Sequence, residues 1–145
     1  MIDGAFKLIK MKKLIIAIAA SLLMFCGCSP KISGNIQTVP AEHPDYAVIY
    51  FYRPAGYVQT PYNVHLGNEV VFRSKNRNRC IYKVDKPGSY EIWGKTESRE
   101  GIVLNVEMGK EYYVLADVKF GVALWRPYIQ HVSPETGKAD WDAIK

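Results

Sequence analysis

Between Tyr46 and Val132 the chain contains no stretch of ten residues with clear helical periodicity. It contains instead a succession of short runs rich in β-branched and aromatic side chains, each ended by turn residues. "YAVIYFY" (46–52) is stopped by Arg53-Pro54, because proline fixes φ and cannot donate to a ladder. "YNVHL" and "EVVFR" flank Gly67-Asn68, a two-residue hairpin signal. "RCIYKV" runs to Val84 and meets the turn "DKPGS", after which "YEIWGKT" covers 90–96. "IVLNVE" (102–107) alternates strictly, with Ile102, Leu104 and Val106 on one face. Met108-Gly109-Lys110 turns the chain into "EYYVLADVKF", and "RPYIQHV" closes the series near 126–132. Seven or eight strands at such spacing predict an all-β fold, an antiparallel sandwich or small barrel. An antiparallel β-sandwich of immunoglobulin-like or prealbumin-like type over 46–133 is the expected architecture. Ten tyrosines and three tryptophans in 145 residues agree with it, because flat rings pack well on a pleated surface. The polar tail 134–145 offers Trp141 and Ile144 as docking points and reads as a short helix.

The first 30 residues differ from the rest. Lys7, Lys10, Lys12 and Lys13 form a basic patch, and "LIIAIAASLLMF" (14–25) is uninterrupted apolar or small sequence. Such a run is too short to span a bilayer, which needs about 20 residues. A basic stretch, a short apolar core and then small residues is the layout of an export signal. "MKKLIIAIAASLL" is complete in itself, so Met11 is an alternative start.

"LLMFCGCSP" (22–30) ends this segment and resembles the boundary of bacterial lipoprotein signals. In that family a diacylglyceryl group joins a cysteine thiol and the chain is cut just before it, which requires small residues upstream. Cys28 has Gly27 and Cys26 before it, both small, whereas Cys26 has the bulky Phe25 and Met24. Cys28 is therefore the expected lipidation site, Cys26 and Gly27 its cleavage flank, and residues 1–27 the signal peptide. The sequence departs from the family at Phe25, where leucine is usual. A Cys26–Cys28 disulfide would close a strained ring across one residue, and a zinc site lacks a second paired motif. The mature family members carry two or three acyl chains, enough for lasting attachment, where one chain holds only marginally. Ser29 after the acceptor, rather than aspartate, implies by the same resemblance an outer-membrane lipoprotein facing the periplasm in a Gram-negative envelope.

Charge carries less information than the precursor's pI of about 9.1 suggests. Residues 1–27 hold four of the 19 lysines and arginines and one of the 14 acids, which leaves 15 against 13, a net charge of +2. The basic balance is mostly a leader effect and gives no reason to expect a nucleic-acid partner. Cys80 would then be a single thiol in an oxidising compartment. The alternation of "RCIYKV" places it with Tyr82 and Val84 on one face, as a small core hydrophobe. Residues 28–45, with Pro30, Pro40 and Pro44, read as lipidated N-terminus and flexible tether, and the domain is expected to start at Tyr46.

Three motifs in order, "AVIYFYRP" (47–54), "KPGSYEI" (86–92) and "MGKEYYVLADV" (108–118), resemble the bacterial domain-of-unknown-function 2846 family of small lipoproteins over roughly residues 45–133. The resemblance implies an envelope-exposed β-sandwich. It implies no activity and no catalytic residues.

The residues offer no catalytic constellation to set beside it. There is no G-x-S-x-G, and His43, His65 and His131 lack metal-ligand spacing. No cofactor or metal is expected, and the chain reads as non-enzymatic. Two polar or aromatic features stand out. In "FRSKNRNRC", Arg73, Lys75, Arg77 and Arg79 recur every second residue, so an extended chain would project four cations from one face. The alternatives are an anion site for lipid phosphate, lipopolysaccharide or an acidic protein, and a solvated loop after a hairpin. In the opening strand Tyr46, Val48, Tyr50 and Tyr52 share one face and Ala47, Ile49 and Phe51 the other. Both faces are apolar, so the tyrosine face is either covered by the C-terminal tail, the preferred reading, or forms a partner surface or sugar-stacking platform with Tyr50, Tyr52 and Arg53. The Arg53 fork suits a carboxylate or backbone carbonyls near the strand end. The function these features support is a membrane-anchored lipoprotein module for binding or scaffolding in the periplasm, the anchor on Cys28 and an envelope protein as partner. An envelope glycan or lipopolysaccharide recognition module is the second reading, and a hydrolase or enzyme inhibitor the third.

Overall fold

The computed structural model describes residue 36 and residues 38–145. The expected signal peptide, with its cleavage flank Cys26 and Gly27, and the expected lipidation site Cys28 lie outside the described residues. The body is an all-β sandwich of eight strands followed by one helix: β1 (Ala47–Arg53), β2 (Tyr62–Leu66), β3 (Glu69–Ser74), β4 (Asn78–Val84), β5 (Gly88–Lys95), β6 (Arg99–Val106), β7 (Glu111–Phe120), β8 (Trp125–Val132) and α1 (Pro134–Ala143). One sheet has the order β4-β1-β7-β8 and the other β3-β2-β5-β6. All pairings are antiparallel except β1 with β7, where Val48 lies beside Glu111 and Tyr52 beside Leu115 in parallel register. The expected antiparallel sandwich therefore holds in all but one pair.

Alternation builds the core. Ala47, Ile49 and Phe51 of β1, Tyr112, Val114 and Ala116 of β7, and Cys80 and Val84 of β4 face Tyr62, Val64, Leu66, Phe72, Ile92, Leu104 and Val106 of the second sheet. A bulge opposite the Val64–His65 step adds one residue to β3, and both Val71 and Phe72 join the core. Gly67, at φ 58, allows the two-residue hairpin between β2 and β3, as its position before Asn68 predicts.

β1 is buried on every residue because its other face is also covered. Val48, Tyr50, Tyr52, Tyr113 and Ile144 form a second cluster, joined by Val39, Tyr46, Ile81, Leu115, Val132 and Trp141. α1 supplies the cover. Ser133 caps it by accepting from the Thr136 amide, Pro134 occupies its first turn, and Glu135 adds a favourable acid there. Gly137 lets the helix approach the Tyr113 ring so closely that a Cβ would collide with it. Tyr52 donates to Asp140 Oδ2 at 3.0 Å, and Trp141 meets Tyr50 edge-on at 5.0 Å between centroids.

The folded body also reaches back past the expected start at Tyr46. Ile36 N donates to Ile81 O at 3.4 Å, and Val39 packs on the tyrosine cluster. His43, expected in a tether, is buried. Its ring stacks on Tyr46 and its Nδ1 donates to Tyr46 O at 3.1 Å, while Nε2 lies 3.5 Å from Glu111 Oε1.

Candidate interaction surfaces

Tyr50, Tyr52 and Arg53 do not form a partner surface. All three are buried, Tyr52 and Arg53 completely. The tail covers the tyrosines, and burial raises both phenols, helped at Tyr50 by Glu111 and at Tyr52 by Asp140. Arg53 works as a clamp inside the protein. Its Nη1 donates to Thr60 O and its Nη2 to Val58 O, both at 2.8 Å, and Nε lies 3.1 Å from Asp117 Oδ1. The fork binds carbonyls and a carboxylate together, and so fixes the loop 54–61 to the end of β1. Ser74 and Tyr62 complete this polar layer between the sheets, donating to Ala116 O at 2.6 Å and Asp117 O at 2.8 Å.

The basic stretch does not present one row of charges. β3 and β4 belong to different sheets, and the chain crosses between them at Lys75–Arg77. Arg77 adopts φ 56, which breaks the extended alternation. Arg73 projects from β3 and donates to Asn63 Oδ1 at 2.9 Å. Lys75 sits at the turn, where its carbonyl accepts from Asn78 N at 3.1 Å. Arg79 lies on β4, stacks on Trp141 and donates to Trp141 O at 2.7 Å. Arg77 lines a hollow of about 420 Å³ with Pro54, Ala55, Asp140, Ala143, Ile144 and Lys145, in which an acid sits among the cations. The signal that marks the turn was Asn76 and Asn78, residues that stabilise turns through side-chain hydrogen bonds. Asn78 Nδ2 donates to Arg73 O at 2.7 Å, and Asn76 Nδ2 donates to Gly56 O.

The two outer faces differ. α1, Val39 and Tyr46 pack on the first sheet, whereas no described element packs on the outer face of the second. That open face carries Asn63 and His65 of β2, Glu91 and Trp93 of β5, and Arg99 and Val103 of β6. Trp93 is its centre. His65 stacks on the indole at 3.9 Å and 7°, and the Arg99 guanidinium lies 4.0 Å from the ring centroid. β5 runs between β2 and β6, so the two partners approach from opposite sides. Trp93 Nε1 donates to Gly67 O at 2.7 Å, and Arg99 pairs with Glu91 at 2.7 Å. Gly101, opposite Trp93, has no room for a Cβ, which would meet the Ile92 carbonyl oxygen and Trp93 Cβ. Burial, and then the Arg99 charge, lower the His65 pKa. Val103 stands next to this stack, 69% exposed, beside a shallow hollow lined by Glu91, Arg99, Gly101 and Ile102. The sequence singled out none of this, because the stack depends on β2 pairing with β5.

Cys80 behaves as predicted: it is buried, donates weakly to Val71 O at 3.4 Å, and burial pushes its thiol up to about 12. Among the described residues no three His, Cys, Asp or Glu side chains converge to hold a metal ion. No described helix is long and apolar enough to cross a membrane.

Fold and surfaces together define a β-sandwich in which, among the described residues, one outer face is covered and the other open. Comparison of the chain with protein-family models, curated proteins and solved structures found no match.

Proposed function

We propose that the protein is a lipid-anchored envelope lipoprotein whose sandwich is a non-catalytic binding or scaffolding module, with the open face of the second sheet as its partner surface. The leader ending at Cys28 supports the anchor, and the resemblance to the domain-of-unknown-function 2846 family supports the envelope setting. The observation that carries the partner surface is the asymmetry of the sandwich. One sheet is closed by the protein's own helix, while the other leaves Val103 beside a preorganised Arg99–Trp93–His65 stack. Central aromatic and arginine groups held rigid by neighbours are what protein-binding hot spots are made of.

A protein partner fits better than a glycan. Sugar recognition needs an aromatic face free for stacking, and on this open face the Trp93 ring is already stacked by His65 and Arg99. The test is affinity capture from native envelopes with the anchor intact, run in parallel with Val103→Asp and with binding to isolated glycan and lipopolysaccharide. A protein retained by the wild type and lost from Val103→Asp supports the reading. Retention of glycan or lipopolysaccharide, with no protein lost on substitution, overturns it.

A further inference from the structure

The ends of the sandwich differ in chemistry. At the end where β7 begins, the turns are polar and paired: Lys83 with Asp85 at 2.8 Å, and Lys110 with Glu107 at 2.7 Å. At the end where β7 finishes, the β7–β8 hairpin carries "KFGVALWR" (119–126), with Phe120 67%, Val122 88% and Leu124 58% exposed. Phe120 and Trp125 contact edge-on at 5.3 Å, and Gly121 N donates to Leu124 O at 2.8 Å, so the tip is an ordered turn. Leu124 and Trp125 line a hollow with Thr60, Thr96 and Glu97, which places the Arg53-clamped loop at the same end. That loop adds Tyr57, which is fully exposed. Three aliphatic or aromatic side chains at one hairpin tip are costly in water unless something covers them.

We infer that the β7–β8 hairpin tip inserts Phe120, Val122 and Leu124 into the interfacial layer of the membrane that carries the lipid anchor; this rests on the anchor proposed above. The flanking residues suit that layer. Trp125 and Tyr57 are amphipathic rings of the kind that settle at headgroup depth, and Lys119, half-exposed and 3.9 Å from Glu100, and Arg126 bracket the tip with cations. The reach of the chain agrees. Ile36 is hydrogen-bonded at Ile81, which pairs with Tyr50, which pairs in turn with Tyr113. Phe120 lies seven residues further along β7, about 23 Å at the rise of a strand. The eight residues from Ile36 to Cys28 have a contour length of at most about 27 Å, no shorter than this rise. Anchor and tip together form the two signals that stable peripheral attachment requires. The sandwich then stands on this end with the open face of the second sheet alongside the membrane normal, accessible to a partner.

The test uses the full chain produced in a lipidating bacterial host and reconstituted into protein-free vesicles of phosphatidylethanolamine and phosphatidylglycerol. Flotation reports the anchor, and amide hydrogen exchange at Val122, Ala123 and Leu124 reports the tip. The expected result is flotation with slowed exchange at the tip and unchanged exchange at the opposite turn 107–110. Val122→Asp with Leu124→Asp, both at exposed positions, is expected to float but lose the slowing. Flotation of the wild type without tip protection overturns the insertion and leaves the anchor standing. Failure to float overturns the anchor and the insertion with it. Tip protection in native membranes but not in protein-free vesicles assigns the tip to a protein partner and overturns the bilayer reading.

Discussion

Arg53 and Asp117 meet from neighbouring parallel strands, Nε 3.1 Å from Oδ1, with the arginine fully buried and the carboxylate at the surface. The same guanidinium holds the carbonyls of Val58 and Thr60, so one side chain ties β1, β7 and the loop between β1 and β2. The carboxylate and backbone carbonyls that the arginine fork suits are thus supplied by the protein itself.

Removing that fork should be expensive. Arg53→Met leaves two part-buried carbonyls without their donor and Asp117 without its cation; an unsatisfied acceptor of this kind typically costs about 1–3 kcal/mol, and the half-exposed carboxylate adds little because water reaches it. Arg53→Lys keeps the charge but replaces a planar fork with a point donor, and should also destabilise, by less. Urea unfolding checks both. Equal stability of Arg53→Lys and wild type would show that charge alone matters.

Gly137→Ala reverses the usual sign. In a helix interior alanine is favoured over glycine by about 1 kcal/mol. Here the added methyl would run into the Tyr113 ring on β7. The variant is expected to melt lower than wild type, with α1 lifted from the tyrosine face and tyrosine fluorescence altered. A raised melting temperature would mean that the helix is not seated as described.

Stability should fall on acidification through His65. Burial and Arg99 hold its pKa below the ordinary 6.5. The unfolded chain therefore takes up the proton first, so this stabilising component is complete above about pH 6.5 and declines below it. Comparing urea midpoints at about pH 7.5 and about pH 5.5 in wild type and His65→Gln isolates the effect, because other groups titrate equally in both. A smaller acid loss in His65→Gln is the expected outcome; identical losses refute it.

Cys80 should be silent in the folded protein. With Cys26→Ser and Cys28→Ser it is the sole thiol, and a maleimide at neutral pH is expected to label it only after denaturation. Its raised pKa adds an alkaline limit. The unfolded thiol ionises near 9.0 while the folded one, at about 12, stays protonated, so stability is lost as pH rises above 9.0. Rapid labelling of the native chain would contradict the buried placement.

Much of the architecture was legible because strand signals are local. Alternation, proline stops and the Gly67-Asn68 pair located the strands to within a few residues, and the apolar phase named the core face of β4 and β6. Local patterns also showed that β1 is apolar on both sides, so something had to cover its tyrosines. They left open what covers them, because Tyr52 and Asp140 are 88 residues apart in the chain. The two readings of the basic stretch, a row of cations or a loop after a hairpin, stayed open for a related reason. Alternation implies one face only if the chain stays in one sheet, and at Lys75–Arg77 it changes sheets. Tertiary structure alone decided strand neighbours, since periodicity says which side of a strand is wet but not which strand lies beside it. The parallel β1–β7 pair, the Trp93 stack and the apolar end of the β7–β8 hairpin all follow from those pairings. The sequence by itself determined an all-β chain, because strand signals are local; the fold determined which of its surfaces are left for something else to cover, because that depends on strand pairing.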